Sequence, residues 1–191
     1  MSTIVGVRKM GRIAVAWDTG TTIGRTRTTP AAPHAKVIRT GRTLVGVAGF
    51  AVYYNILADY LSVEAVPLLE DETSVFRFFV KLWRDLGERY HMVNDRWDRD
   101  DPSPFADVGA EFLVATASGL FRVKETLSVS SLPMYCAIGS GAPHAEGALS
   151  VLYKQDKSPR DIAEEAARVA MDFDTSSSGS VEIAEIRDDE V

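Results

Sequence analysis

The sequence predicts an α+β protein, a four-layer αββα sandwich in which two antiparallel sheets are each covered by a pair of helices. Three observations lead there. Strand-like segments come in blocks, in the order ββ, ββ, αα, βββ, αα, β, rather than alternating singly with helices, which excludes a doubly wound parallel sheet. The helical segments come in two consecutive pairs. The length of 191 residues, with 46% hydrophobic and 25% charged residues, suits one soluble domain spanning residues 1–191 that buries its own core.

Each element has its own signal. Thr3, Val5 and Val7 alternate with Ile4, Gly6 and Arg8; Met10-Gly11 supplies a turn; Ile13, Val15 and Trp17 resume the alternation up to Asp18. The Gly- and Thr-rich stretch from Asp18 to Pro33 is too polar for core and reads as a loop that presents backbone to a ligand. Lys36–Arg39 and Thr43–Ala48 read as a second strand pair joined at Thr40-Gly41. Two helices follow. Ala51–Val63 carries Tyr54, Leu57, Ala58 and Leu61 at helical spacing, and Ser74–Met92 carries Phe76, Phe79, Val80, Trp83, Leu86 and Tyr90 on one broad face, as packing residues. Asn94–Asp107 combines charge with Pro102 and Pro104 and reads as a loop. Strand signals return at Glu111–Ala117, Leu120–Glu125 and Leu127–Ser130, and Gly139–Gly141 leads into a helix over Pro143–Tyr153. The next helix starts at Ser158-Pro159-Arg160-Asp161, which offers an N-cap, a proline at the first helical position and an acid three residues on. Ser176–Gly179 ends that helix, and Val181–Ile186 is a last strand.

Composition narrows the function. The net charge of −6 and pI near 5.1 argue against general nucleic-acid binding, which needs a basic surface. No apolar run approaches the roughly 20 residues of a membrane span. Arg8, Lys9 and Arg12 interrupt the first apolar positions, unlike a secretory signal, so cytoplasm is the expected compartment. The single cysteine, Cys136, lies in the apolar run Met134–Ile138 and reads as a small buried hydrophobe. His34, His91 and His144 have no metal-ligand spacing, and the glycines spell neither a P-loop nor a dinucleotide turn, so no metal and no cofactor is expected. No GxSxG elbow supports a histidine-dependent serine triad.

The N-terminus carries chemistry of its own. Loss of Met1, favoured by a residue as small as serine behind it, leaves Ser2 with a hydroxyl and a free α-amine. An α-amine of unperturbed pKa about 7.7–8.0 is partly unprotonated at neutral pH. One residue then supplies both nucleophile and base.

The segments STIVGVRKMGRIAVAWDTGTTIG, AKV, LVGVAGF, AIGSGAPHAEGAL and DFDTSSSG follow one another in an order and spacing that resemble the proteasome β-subunit family. The likeness is to its bacterial HslV-type branch, and it leaves out chiefly Asn94–Asp107 and the charged end. It implies an N-terminal-nucleophile hydrolase, the proteolytic subunit of a self-compartmentalising double-ring protease that hydrolyses peptide bonds. Carried over by position, Ser2 stands where the family has its N-terminal threonine nucleophile. Asp18 matches the acid after the second strand, and Lys36 the lysine that lowers the nucleophile's pKa. Gly49 matches the glycine whose backbone N–H forms the oxyanion hole, in a turn where the chain approaches the scissile carbonyl. Ser140, Asp174 and Ser177 match the polar set around the α-amine. Thr22 and Ala51 match residues whose backbone pairs with an extended substrate, and Thr21, Val47 and Asn55 would line the pocket for the side chain before the cleaved bond.

The departures are informative. Ser2 replaces threonine, two extra residues lie between Gly24 and Lys36, and Asn94–Asp107 resembles an insertion relative to HslV. The Asp174-Thr175-Ser176-Ser177 run resembles the proteasome proper more than HslV. Together these resemble the betaproteobacterial proteasome homologues. The implied partners are an unfolded polypeptide or peptide substrate and further copies of the chain in stacked hexameric or heptameric rings, the heptamer favoured. An ATP-driven unfoldase is compatible with this, and neither nucleic acid nor membrane is implied. Two alternatives remain at this level: a non-catalytic structural ring subunit, and a small-molecule amidase of the same fold.

Overall fold

The computed structural model describes residues 2–23, 26–28, 36–64, 66–90 and 108–187. The expected Asn94–Asp107 loop lies outside these residues. The first strands, β1 (Ile4–Lys9) and β2 (Arg12–Asp18), form the hairpin that the alternation predicts, turning at Met10 and Gly11, both with positive φ. Then come β3 (Thr21–Ile23), β4 (Thr26–Thr28), β5 (Val37–Thr40) and β6 (Thr43–Gly49), followed by helices α1 (Ala51–Val63) and α2 (Glu72–Tyr90). Strands β7 (Ala110–Thr116), β8 (Gly119–Val123), β9 (Val129–Leu132) and β10 (Tyr135–Ile138) precede α3 (Ala142–Leu152), α4 (Pro159–Phe173) and β11 (Val181–Arg187).

Two antiparallel sheets form the centre, with strand orders β10-β1-β2-β11 and β5-β6-β7-β8-β9. Three apolar layers hold the sandwich together. Between the sheets lie Ile4, Ile13, Val15, Trp17, Leu44, Leu113 and Leu120. On the outer face of the first sheet, Val5, Val7, Ala14 and Ala16 meet an alanine-rich face of α4, Ala163, Ala166, Ala167 and Ala170. The large side chains of β2 thus point inward and its alanines outward, which lets α4 lie close to the strand. On the far side, Val45, Val47, Phe112 and Val114 pack against α1 and α2. This is the αββα arrangement expected from the order of elements.

Local chemistry explains the helix starts. Ser158 caps α4, its hydroxyl accepting from the Asp161 N–H at 3.1 Å, with Pro159 at the first helical position. Helix α2 begins two residues before the expected Ser74. Asp71 accepts from the Ser74 N–H at 2.7 Å and Ser74 accepts from the Asp71 N–H at 3.1 Å, a reciprocal cap.

Four expectations need correction. The polar stretch after Asp18 is not all loop, because β3 and β4 pair antiparallel; threonine is β-branched and favours strand despite its polarity. Strand β10 was absent from the expected order, and it pairs with β1 from Ile4↔Ile138 to Val7↔Tyr135. A four-residue apolar run has no periodicity to betray it. On α1 the buried stripe is Tyr53, Ile56, Leu57 and Tyr60, one residue round from the expected Tyr54, Leu57, Ala58 and Leu61. Two tyrosines on the observed stripe bring more apolar area to the core, and the Tyr60 hydroxyl accepts from Lys81 Nζ at 3.1 Å. On α2 the core takes Val75, Phe78, Phe79, Leu82 and Leu86, while Phe76 and Val80 stay 47% and 38% exposed.

Candidate active site

Strand β2 delivers Asp18 to one end of the inter-sheet layer, where it is completely buried. Its carboxylate is fully engaged. Oδ1 accepts from the Thr3 N–H at 2.9 Å and from Lys36 Nζ at 2.7 Å, while Oδ2 accepts from the Ser178 N–H at 2.9 Å. The Asp18 N–H in turn donates to the Thr3 carbonyl at 3.2 Å. The peptide group after Ser2 is therefore fastened to the same oxygen atom that holds the Lys36 ammonium.

Lys36 sits just before β5 and is only 8% exposed. Its carbonyl accepts from the Val47 N–H at 2.9 Å, so the lysine is anchored to β6 as well. Burial pushes its pKa below the ordinary lysine value, and the Asp18 carboxylate, with a smaller contribution from Asp174, pulls the other way. A buried ammonium paired in this way makes a local positive field of the kind that favours an anion on a neighbouring oxygen.

A second cluster, around the Asp174 carboxylate, reaches Ser2 through Ser140. Asp174 ends α4, its N–H donating to the Ala170 carbonyl at 2.7 Å. Its Oδ2 accepts from Ser140 Oγ at 2.7 Å and Ser177 Oγ at 2.6 Å, and its Oδ1 from the Ser176 N–H at 3.1 Å. Burial alone would raise this carboxyl; the hydroxyls of Ser177 and Ser140 and the Ser176 N–H outweigh it and hold the group below the usual aspartate value. Ser140 also reaches the Ser2 carbonyl, at 3.5 Å. Ser2 itself is 6% exposed. Gly139, at φ +89°, leaves room for that carbonyl, since a Cβ there would overlap the Ser2 oxygen.

The structure thus brings Ser2, Asp18, Lys36, Ser140, Asp174 and Ser177 into one cluster. Gly49 ends β6 opposite Ala110 and is exposed. It lies in a strand, not in the turn expected, and a Cβ would stand 2.8 Å from the Ala110 Cβ and 2.9 Å from the Gly109 carbonyl oxygen. Close approach of β7 is a reason for glycine there independent of any ligand. Helix α1 starts two residues on, capped at Phe50 by no side-chain hydrogen bond, so its positive end lies beside Gly49. The expected substrate contacts are more scattered. Thr21 and Thr22 lie on β3, opposite Thr28 and Arg27; Val47 is buried in the layer beneath α1; Ala51 and Asn55 are exposed on α1.

Sequence reasoning missed Thr3, whose buried hydroxyl lies 2.6 Å from Ser177 Oγ, and Ser178, whose backbone completes the Asp18 shell. It also missed why Gly20 is glycine: a Cβ there would overlap Ser178. Only the adjacency of Thr3 to Ser2, and of Ser178 to Ser177, could have pointed to them. Cys136 is buried between the sheets as expected, and burial pushes its thiol up to about 12.

No family model matches the sequence, and no relative was found among curated proteins. Solved structures do match. The structure of Thiobacillus denitrificans BPH, a bacterial proteasome homologue, is 28% identical with a TM-score of 0.88, covering 99% of this chain and 100% of that one. A structure of the same protein in complex with epoxomicin is likewise 28% identical, with a TM-score of 0.87 over 97% of this chain and 98% of that one. The eukaryotic HslV of Trypanosoma brucei, at 21% identity, shares the fold with a TM-score of 0.65 over 97% of this chain and 99% of that one. The two antiparallel sheets and four helices match the N-terminal-nucleophile hydrolase fold of these proteasome-like neighbours. The likeness is to HslV in fold, and to the bacterial proteasome homologue in both fold and sequence. Among the described residues, no helix is long and apolar enough to cross a membrane.

Proposed function

We propose that the chain is the proteolytic subunit of a double-ring compartment in the cytoplasm, with Ser2 as nucleophile once Met1 is removed. The observation that carries this reading is the shared oxygen of Asp18, which binds the Thr3 N–H and the Lys36 ammonium at 2.9 and 2.7 Å. That oxygen ties the buried Lys36 ammonium to the peptide group that follows Ser2, which supports the reading of Ser2 as nucleophile.

The chemistry follows from these groups. The α-amine of Ser2 accepts the hydroxyl proton as Oγ attacks the scissile carbonyl. Lys36 stabilises the developing alkoxide, and Asp18 keeps the lysine charged and placed. The Gly49 N–H, next to the positive end of α1, receives the negative charge on the tetrahedral oxygen. The leaving amine takes the proton from the α-ammonium, and water, deprotonated by the same amine, hydrolyses the resulting ester and frees Ser2. Asp174, Ser140 and Ser177 hold the amine and its proton in place. Thr21, Thr22, Val47, Ala51 and Asn55 form the substrate cleft, with β3 offering strand edge to an extended peptide.

Ring assembly gives the exposed apolar side chains an occupant. Phe76 and Val80 on α2 and Val52 on α1 stand out from the core, as residues buried between neighbouring subunits would. The test is peptidase activity together with the mass in solution. Ser2→Ala and Lys36→Ala should each abolish peptide cleavage, with little further loss in the double variant, and Ser2→Thr should keep it. Sedimentation should give twelve to fourteen subunits, with fourteen favoured. A Ser2→Ala protein that cleaves as fast as its parent overturns the mechanism, and a fully active monomer overturns the compartment.

A further inference from the structure

Thr3 sits where the two carboxylate clusters meet. Its backbone N–H donates to Asp18, and its hydroxyl, on a side chain with no solvent exposure, lies 2.6 Å from Ser177 Oγ. The direction of that second bond follows from the proton count. Asp174 is ionised and can only accept, and Ser177 has a single hydroxyl proton, which it gives to Asp174 Oδ2 at 2.6 Å. The Thr3 hydroxyl must therefore be the donor to Ser177, so that a chain of two O–H bonds runs from Thr3 through Ser177 into the carboxylate. Such chains polarise, each bond strengthening the next.

The surroundings are shaped for this hydroxyl. Gly141 faces it so closely that a Cβ would overlap Thr3 Oγ1. The titratable groups near Asp174 are Lys36, before β5, and His144, on α3. Neither replaces what Ser177 donates, because among the described residues the hydrogen bonds to the Asp174 carboxylate come from Ser140, Ser176 and Ser177.

We infer that Thr3 is a positioning residue, whose hydroxyl orients Ser177 and Asp174 around the Ser2 amine while its backbone ties Ser2 to the Asp18–Lys36 pair. This rests on the reading of Ser2 as nucleophile. Losing the hydroxyl weakens the hold of Ser177 on Asp174, which then takes up a proton at a higher pH than in the parent. The carboxylate, still ionised where the amine titrates, is also held less firmly beside the amine, which lowers the pH range in which the amine is protonated and misplaces its proton.

The test compares Thr3→Val, which keeps the shape without the hydroxyl, with Thr3→Ser, which restores it, in the assembled protein. Thr3→Val should lower kcat roughly five- to tenfold with KM nearly unchanged, the size of one lost hydrogen bond to an ionised network. The acid limb of its pH profile should be displaced from the parent's. Thr3→Ser should recover most of the rate and the parental limb. Gly141→Ala, which drives the hydroxyl away while leaving threonine in place, should reproduce the valine effect and decides the matter if Thr3→Val does not fold. An unchanged kcat and pH profile in Thr3→Val, or equal losses in valine and serine variants, would overturn the inference while Ser2→Ala stays inert. An active Ser2→Ala would instead remove the reading beneath it.

Discussion

Replacing Asp18 by asparagine changes one atom and disturbs three bonds. The carboxylate offers two oxygens to three donors, Thr3 N–H and Lys36 Nζ at one and Ser178 N–H at the other. Asparagine has one oxygen and an NH2 group, so in either orientation a donor faces a donor. Lys36, 8% exposed, also loses the anion in contact with it. Leaving one member of a buried pair unpaired costs about 3–5 kcal/mol. For a chain of this size that corresponds to a fall in Tm of about 6–20 °C, at about 2–4 °C per kcal/mol. Thermal unfolding followed by circular dichroism measures it, with peptidase activity assayed on the same sample at a temperature where the variant is folded. Activity should be lost even there, because Lys36 without Asp18 sheds its proton more readily. Adding Lys36→Met to Asp18→Asn removes the stranded ammonium and should restore part of the stability and none of the activity. An Asp18→Asn protein within about 1 kcal/mol of its parent, and still active, would refute the argument that this pair is buried, charged and needed.

Gly139→Ala should abolish activity and lower stability, since φ is +89° and the new Cβ would overlap the Ser2 carbonyl; Gly147→Ala, with open space around it, is the control that should change neither. The pH dependence of kcat/KM should be bell-shaped. Rate rises as the Ser2 amine, of unperturbed pKa about 7.7–8.0, loses its proton, and falls as Lys36 loses its own, which burial brings below the ordinary 10.5. In Lys36→Arg the alkaline fall should vanish. Cys136, its thiol pushed up to about 12 and shut between the sheets, should resist alkylation in the native protein and react only on unfolding, as thiol labelling with mass detection would read.

Where the sequence was legible, a local rule acted alone. The alternation Ile13, Val15, Trp17 puts large side chains between the sheets, and Ser158-Pro159 starts α4 because an N-cap and a proline have no other use there. Asp18 and Lys36 could be paired through the resemblance, and they are in contact. What stayed hidden depends on residues far apart in the chain. The Thr3–Ser177 bond joins positions 174 residues apart, and no spacing rule reaches that distance. Strand β10 has four residues and is defined by its partner β1. The face of α1 was off by one position because two tyrosines compete with aliphatic residues for the same core, and only the packed layer decides between them.

The central claim is that Ser2 carries both the nucleophile and a free amine. The intact mass of the purified protein, before and after treatment with an epoxyketone inhibitor, tests it most directly, because that inhibitor class needs the hydroxyl and the α-amine of one residue. The account predicts a mass short by one methionine, a gain of one inhibitor per chain, and no gain in Ser2→Ala. A retained methionine in a protein that nonetheless cleaves peptides, or inhibitor bound equally by Ser2→Ala, would contradict it.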